Sequence, residues 1–386
     1  MKTKMSGCAS VPKQSVTAIC TTGWQKPWGV TVAVCTHNGA GRVSETLVRL
    51  AAQQVPPRME WEVLVIDNAS TDDAVNQAKR AWPLSLADRF RVVSESQLGL
   101  THARCRALAD ARFEIVSFVD DDNWVCADWV RVVAEIMAHR PRVGACGGMV
   151  EAQCEVQPPW WFERYQEFYA IGPQHHQEGD ITWERGYLWG AGLTVRYSAW
   201  AHLTCLGFRF LLMDRRGTRL HSGGDAEICL ALRLAGWTIW YDPRLYMRHF
   251  VPASRLRWSY LKQVVRGFGV ASPSHKAYYA VRENKENGLH VWLRGNWQSQ
   301  LAACLLKLFQ QAVRLLIMPP VREGNPAVLE LESLLGTTME LMRQRRAYDE
   351  SFWRVRDMFG GVVAQPVLSH ELPRPRNEEP LLLRQQ

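Results

Sequence analysis

The sequence predicts an α/β fold in which helices flank a sheet and a mostly helical extension follows. Short β-branched runs alternate with helical patterns between residues 30 and 119, which is typical of βαβ units around a parallel sheet. Beyond residue 255 the patterns are mainly helical, and the first helix is predicted from Leu256 to Gly267. The chain has 386 residues, 47% of them hydrophobic, so it is long enough for two or three domains with a large core.

Strand and helix signals follow one another from residue 29. Val30 to Cys35 is a β-branched run, and the turn formers Thr36 to Gly41 end it. A helix is predicted from Val43 to Gln54, because its apolar residues fall on one face. The same reasoning predicts strands at 62–66, 90–94 and 115–119, and helices at 72 onward and at 100–111.

Two of the predicted strands end in acidic residues. Asp67 follows one of them, and Asp120, Asp121 and Asp122 end another. Right-handed crossovers bring both strand ends to the same sheet edge, where open α/β sheets bind ligands. Adjacent carboxylates repel one another, and Mg²⁺ or Mn²⁺ would neutralise them. The alternative is a solvated turn that caps the helix beginning near Ala127. Two acidic strand ends together favour the ligand site.

Charge and composition limit the partners. The net charge is +8, and the segment from Arg255 to Arg294 has eight Lys or Arg against two Glu. Such a segment could bind phosphates, anionic lipid or nucleic acid, or form an ordinary basic helix face. The ten cysteines lack metal-ligand spacing, which favours reduced thiols. Residues 1–28 resemble a flexible leader without the apolar core of a signal peptide, so we expect a cytoplasmic protein.

Four runs together resemble one enzyme family. They are VTVAVCTHNGAGRVSETLVRL, WEVLVIDNASTDD, QLGLTHARCRALADA and FVDDDN. They resemble the nucleotide-binding half of family 2 glycosyltransferases of the GT-A fold, a Rossmann-like mixed sheet flanked by helices. The resemblance covers about residues 29 to 260. Within that family, the chain is similar to the branch found among bacterial surface-polysaccharide enzymes, including the hormogonium polysaccharide group. Neither GxGxxG nor a P-loop sequence follows the strands, so a dinucleotide or P-loop site is not expected.

The resemblance implies a nucleotide-diphosphate sugar as donor, expected to be a UDP-sugar, and a divalent cation, Mn²⁺ or Mg²⁺. Asp120 and Asp122 match the DxD-type motif, with Asp122 as the direct metal ligand and Asp121 in the variable place. Thr36 and Asp67 should contact the base, and Arg104 should fix the nucleotide loop. The residues expected around the donor are Thr36, Asn38, Asp67, Arg104, Asp120, Asp121 and Gly190.

The resemblance also assigns residues on the acceptor side. Asp225 matches the catalytic base, although by itself an acid after glycines is more simply a helix N-cap. Gly224 stands where the motif usually has Glu, which leaves the orientation of the acceptor unexplained. Glu227 is interpreted as structural or as a secondary acceptor contact. His249 matches a metal-binding position, whereas a lone histidine is otherwise more often structural.

These interpretations predict an inverting glycosyltransferase with a GT-A glycosyltransferase domain in residues 29–255, a helical basic or amphipathic extension in 256–360 and a disordered tail in 361–386. The acceptor is expected to be a glycan or a lipid-linked glycan, and no nucleic acid is expected. Residues 301–318 fit an amphipathic helix at a membrane surface as well as a helix in a core. Two rival functions stay open: a sugar-phosphate nucleotidyltransferase, and an inactive protein that binds glycans or anionic surfaces.

Overall fold

The computed structural model describes residues 26–212, 223–282, 288–317 and 322–359. The predicted tail, 361–386, and nearly all of the predicted leader lie outside these residues. Within them, the predicted architecture of a mixed sheet flanked by helices, followed by a helical C-terminal region, is confirmed.

The strands of the described residues form one sheet with the order β3-β2-β1-β4-β8-β6-β9-β5, and β7 pairs with β9. Neighbours among β1 to β4 run parallel, and β8 runs antiparallel to both β4 and β6. The strands are β1 (Val30–Thr36), β2 (Trp61–Asn68), β3 (Phe90–Glu95), β4 (Ile115–Asp120), β5 (Asn123–Val125), β6 (Val143–Cys154), β7 (Gly179–Asp180), β8 (Thr194–Arg196) and β9 (Thr238–Val251).

Helices cover both faces of this sheet and form the C-terminal region. Short 3₁₀ turns occupy Leu84–Arg89 and Gln166–Tyr169. The helices are α1 (Val43–Ala51), α2 (Ala74–Ala81), α3 (Leu100–Asp110), α4 (Trp129–His139), α5 (Phe162–Tyr165), α6 (Tyr197–Cys205), α7 (Gly224–Leu234), α8 (Trp258–Arg282), α9 (Gly288–Gly295), α10 (Trp297–Ile317), α11 (Pro326–Gln344) and α12 (Arg346–Phe359).

The alternation of side chains along β1 divides the core into two layers. Ala33 packs with residues of α3 and α7 on one face of the sheet. Val32 and Val34 pack with α1 and α4 on the other face. Burial on both faces explains why β1 is a continuous apolar run rather than an alternating one.

The strand ends that carry the acids lie side by side. Thr36 at the end of β1 pairs in register with Asp67 of β2, and Cys35 pairs with Asp120 of β4. The prediction that both acidic ends meet at one edge of the sheet is therefore confirmed.

The C-terminal helices differ in length from the predicted ones. The predicted helix from Leu256 to Gly267 instead continues through Pro273 to Arg282 as α8. Two glycines let α8 and α11 approach closely, since a methyl group at Gly269 or at Gly336 would overlap the backbone of the other helix. Packing against α11 and α12 thus outweighs the loss of one helical hydrogen bond at proline.

Two findings bear on the expected environment of the protein. Seven cysteines in the described residues are free thiols. None of the helices within the described ranges is long and apolar enough to cross a membrane.

Candidate active site

A cavity of about 360 Å³ opens at the carboxyl edge of the sheet. Ends of β1 and β4, the N-terminal part of α3, the start of α7 and the first half of α8 all contribute to its wall. The predicted site residues that line it are Thr36, Arg104, Asp120, Asp121, Asp122, Gly190, Asp225 and His249. Residues far apart in sequence, on both sides of the sheet, are thus brought into one site.

Asp121 is held in place by the loop after β1. Its carboxylate accepts hydrogen bonds from Thr36 Oγ1 at 2.6 Å and from Arg42 Nε at 3.0 Å. Its backbone carbonyl accepts a hydrogen bond from Thr46 Oγ1 at 2.9 Å. Burial and the neighbouring Asp122 raise the pKa of Asp121, against the effect of Arg42 and Thr36. Asp121 therefore fixes the β1–α1 loop against the acidic motif.

Asp122, His249 and Arg255 form a second cluster in the cavity. His249 Nε2 lies 3.7 Å from Asp122 Oδ1. His249 Nδ1 lies 2.9 Å from the carbonyl oxygen of Tyr169, so Nδ1 donates and Nε2 keeps its lone pair toward Asp122. Arg255 Nη1 lies 3.0 Å from Asp122 Oδ2 and 3.5 Å from His249 Nε2.

The pair Asp122 and His249 fits a divalent cation that a bound diphosphate also ligates. One carboxylate and one imidazole with a free Nε2 are suitable ligands for Mn²⁺. The described residues contain no group of three or more His, Cys, Asp or Glu that could hold a metal. Oxygens from diphosphate and water would have to complete the coordination, and the Arg255 guanidinium would have to give way.

Asp225 stands at the start of α7 and is bound by the glycine loop before β8. The amide of Gly190 donates a hydrogen bond of 2.5 Å to Asp225 Oδ2. Gly223, directly before α7, has φ +136°, a conformation that favours glycine. His275 of α8 lies 3.0 Å from the Gly223 carbonyl through Nε2. Helix α8, through the Gly223 carbonyl, and the loop that contains Gly190 therefore both position the Asp225 carboxylate.

Glu227 does not reach the cavity. Its buried carboxylate accepts hydrogen bonds from the amides of Leu211 and Leu212, at 2.7 and 3.1 Å, and from the Tyr278 hydroxyl at 2.7 Å. Of the two interpretations from the sequence, the geometry fits the structural one. Glu227 joins the segment after α6 to helices α7 and α8.

Two residues expected around the donor lie outside the lining of the cavity. Asn38 accepts hydrogen bonds from the amide and hydroxyl of Thr71 and so connects the β1 and β2 loops. Asp67 Oδ1 accepts a hydrogen bond from the Ser70 amide at 3.2 Å. Asn68, beside Asp67, lines the cavity instead. A contact of Asp67 with the base, and of Asn38 with the donor, stays a prediction.

Sequence reasoning missed part of the cavity wall. Arg42 is in the turn after β1, but nothing in the sequence indicated its ion pair with Asp121. Tyr260, Val264 and Phe268 line the cavity from α8. Their spacing of four residues places them on one helix face, and this spacing was a signal that could have identified them.

One further lining residue is a cysteine. Cys35 is buried at the end of β1, and burial raises the pKa of its thiol to about 12. The thiol is therefore protonated at neutral pH, and it is a poor nucleophile because thiolate is the reactive form.

Comparisons with known proteins give a matching family model and a relative of known name. Residues 31–203 match the family model described as glycosyl transferase family 2. The succinoglycan biosynthesis protein ExoM of Rhizobium meliloti (strain 1021) is 28% identical over 234 residues, which are 60% of this chain and 70% of that protein.

Solved structures give more distant similarities. The mannosyltransferase PcManGT from Pyrobaculum calidifontis, in complex with GDP-Man and Mn²⁺, is 16% identical with a TM-score of 0.46, covering 91% of this chain and 93% of that one. S. aureus TarS 1-349 is 14% identical with a TM-score of 0.42, covering 85% of this chain and 90% of that one.

Proposed function

We propose that this chain, whose residues 31–203 match the model of glycosyl transferase family 2, transfers a sugar with inversion at its anomeric carbon. The donor is a nucleotide-diphosphate sugar, and the acceptor is a hydroxyl group of a glycan or a lipid-linked glycan in surface polysaccharide synthesis. The observation that supports this most is that Asp225 lines the same cavity as the cluster of Asp122, His249 and Arg255. One carboxylate therefore faces the space where cationic and metal-binding groups would hold a diphosphate.

In the proposed reaction, Asp225 accepts the proton of the acceptor hydroxyl. The acceptor oxygen forms a bond to the anomeric carbon as the bond from that carbon to the diphosphate oxygen breaks. The attack comes from the side opposite the leaving group, so a single displacement inverts the anomeric centre. The hydrogen bond from the Gly190 amide keeps the Asp225 carboxylate in a fixed orientation.

The leaving diphosphate gains negative charge, and the site offers positive groups to receive it. Arg255 and Arg104 both line the cavity, and their guanidinium groups suit phosphate oxygens. A divalent cation on Asp122 and His249 would add Lewis-acid stabilisation of the same charge. Preorganised charge of this kind is usually the largest contribution to catalysis.

Specificity has weaker support than the reaction type. We propose UDP as the nucleotide and place its base near Thr36 and the β2 loop that contains Asp67. On the acceptor side, Tyr260, Phe168 and Phe268 form an aromatic wall of the cavity, which suits a sugar ring. The role that ExoM's name gives it, in succinoglycan biosynthesis, supports a polysaccharide or its lipid-linked precursor as acceptor.

The identity of the donor is tested by measuring the thermal shift that each of a panel of nucleotide sugars causes, with and without Mn²⁺. The correct donor binds only the folded chain, so at a hundred times its Kd it should stabilise the fold by about 2.7 kcal/mol. Release of nucleoside diphosphate on addition of acceptor supports transfer. Formation of nucleoside triphosphate from the sugar nucleotide and pyrophosphate would instead identify a nucleotidyltransferase.

A further inference from the structure

Helix α10 presents an apolar face to solvent. Its exposed apolar side chains range from 37% exposed at Val313 to 85% at Leu316. We define the α10 apolar face as Leu305, Leu306, Phe309, Val313 and Leu316. We propose that this face docks α10 in the plane of a membrane surface that contains anionic lipids.

The α10 apolar face is separate from the side of the helix that packs on the protein. Cys304 is buried in the core, and Trp297 and Leu301 pack against the same core. Leu305, Phe309 and Val313 follow one another at intervals of four residues, so they form one stripe along the helix. A row of large apolar side chains on a surface indicates an interaction site rather than a chance exposure.

Charge around the face favours an anionic surface as its partner. Residues 288–317 contain Arg294, Lys307 and Arg314 but no Asp or Glu. Lys307 and Arg314 are both exposed on α10 itself. Basic side chains beside an apolar face bind anionic headgroups while the apolar side chains enter the acyl region. Trp292, which is exposed on α9, is of the residue type enriched at membrane–water interfaces.

Helix α10 is not a membrane span, because Lys307, Gln310, Gln311 and Arg314 interrupt its apolar sequence. At 21 residues it would instead lie flat over about 30 Å of surface.

The test is co-sedimentation of the full chain with vesicles, without any substrate. One set of vesicles contains phosphatidylcholine alone, and the other contains phosphatidylcholine and phosphatidylglycerol in equal parts. The wild type should bind the second set more tightly. Lys307→Glu with Arg314→Glu should remove this preference, a loss of about 30-fold, since each basic residue near such a surface contributes about 1 kcal/mol.

The apolar contribution is tested with Leu306→Glu and Phe309→Glu together, which should weaken binding to the mixed vesicles by about tenfold or more. Leu84→Glu is the matched control, because Leu84 is 92% exposed in the 3₁₀ turn before β3, and it should bind as the wild type does. Melting temperatures equal to that of the wild type would exclude misfolding of the variants.

Three results would overturn the docking proposal. They are a wild type that fails to sediment with mixed vesicles, a control that loses as much binding as the α10 variants, and lipid-free dimers that the Phe309→Glu change dissociates. The proposal does not rest on the reaction proposed above. A chain that transfers sugar to a soluble acceptor but ignores vesicles would contradict only the docking.

Discussion

Arg255 Nη1 lies between the two candidate metal ligands, 3.0 Å from Asp122 Oδ2 and 3.5 Å from His249 Nε2. Burial opposes the charge on this guanidinium, but the carboxylate of Asp122 outweighs burial and raises the pKa of Arg255. The side chain is therefore a fixed cation at the place where a divalent ion would bind. A metal bound at this site would compete with Arg255 for Asp122.

This competition predicts the effect of Arg255→Gln on metal binding. Removal of the guanidinium takes away the cation that competes with a metal for Asp122, so the chain should bind Mn²⁺ about tenfold more tightly in the absence of donor, a difference of ~1.4 kcal/mol. The affinity is measured by titrating the chain with Mn²⁺ and following the concentration of the free ion by electron paramagnetic resonance. Arg257→Gln is the control, because Arg257 is exposed beside the cluster. Unchanged or weaker Mn²⁺ binding by Arg255→Gln would contradict the competition.

Gly190→Ala tests the support of Asp225. A methyl group there would overlap Arg104 Nη2 and lie 3.0 Å from Asp225 Oδ2. The end of the arginine side chain can move, so stability should change by less than about 1 kcal/mol. Displacement of the carboxylate should lower kcat by about 100-fold. Gly179→Ala, where no atom lies within 4 Å of the added carbon, should keep its activity. Wild-type kcat in Gly190→Ala would show that the contact does not position Asp225.

Glu227→Ala tests the structural role of the second acid of α7. The change leaves the amides of Leu211 and Leu212 and the Tyr278 hydroxyl without their acceptor. We expect a loss of about 3 kcal/mol in the free energy of unfolding, measured in urea, with donor affinity unchanged. Tyr278→Phe alone should cost about 1 kcal/mol, and the double variant less than the sum of the two. A stable Glu227→Ala variant with a raised KM for the acceptor would favour the other interpretation, direct acceptor contact.

The ionised carboxyl group of Glu62 should make the free energy of unfolding depend on pH. Burial disfavours its charge, but hydrogen bonds, chiefly from Arg91, outweigh burial and lower the pKa of Glu62. A carboxyl group with a lowered pKa stabilises the fold above its unfolded pKa of about 4.3, and this stabilisation is lost as the pH falls through the folded pKa. Glu62→Gln should thus lower the free energy of unfolding by about 1–3 kcal/mol at pH 7.

The difference between Glu62→Gln and the wild type should shrink as the pH falls below about 4. Urea unfolding at a series of pH values measures it. Glu45→Gln is a matched control, because the ion pair between Glu45 and Arg49 is exposed on α1, so its cost should stay below about 0.5 kcal/mol. A constant difference across the pH range would exclude the charge of Glu62 as its cause.

Local patterns predicted much of the fold and of the site. The strand and helix signals from Val30 to Asp120 identified the sheet, because burial on both faces leaves a continuous apolar run. Asp122 and His249, which the resemblance assigns to a metal, lie 3.7 Å apart through Oδ1 and Nε2. Their register explains it, since β5 pairs with β9 and sets Asn123, next to Asp122, opposite His249.

Contacts between distant segments could not be predicted. The position of Arg255 depends on the loop after β9, and that of Asp121 on the loop after β1, where no short pattern fixes the ion pair with Arg42. The predicted end of α8 near Gly267 was wrong because glycine and proline are local breakers, whereas packing against α11 acts over a long sequence distance. For the aromatic wall of the cavity, the spacing of Tyr260, Val264 and Phe268 is a signal that they share one helix face, but the neighbour that this face meets is set by long-range packing.

The most direct test of the proposed mechanism compares Asp225→Asn with the wild type in a single-turnover transfer assay. Asparagine keeps an oxygen that can accept the hydrogen bond from the Gly190 amide, so only the basic charge is lost. The proposed role of Asp225 predicts a transfer rate lower by about 10²–10⁴-fold, with donor affinity and melting temperature unchanged. Transfer at the wild-type rate by Asp225→Asn would contradict it.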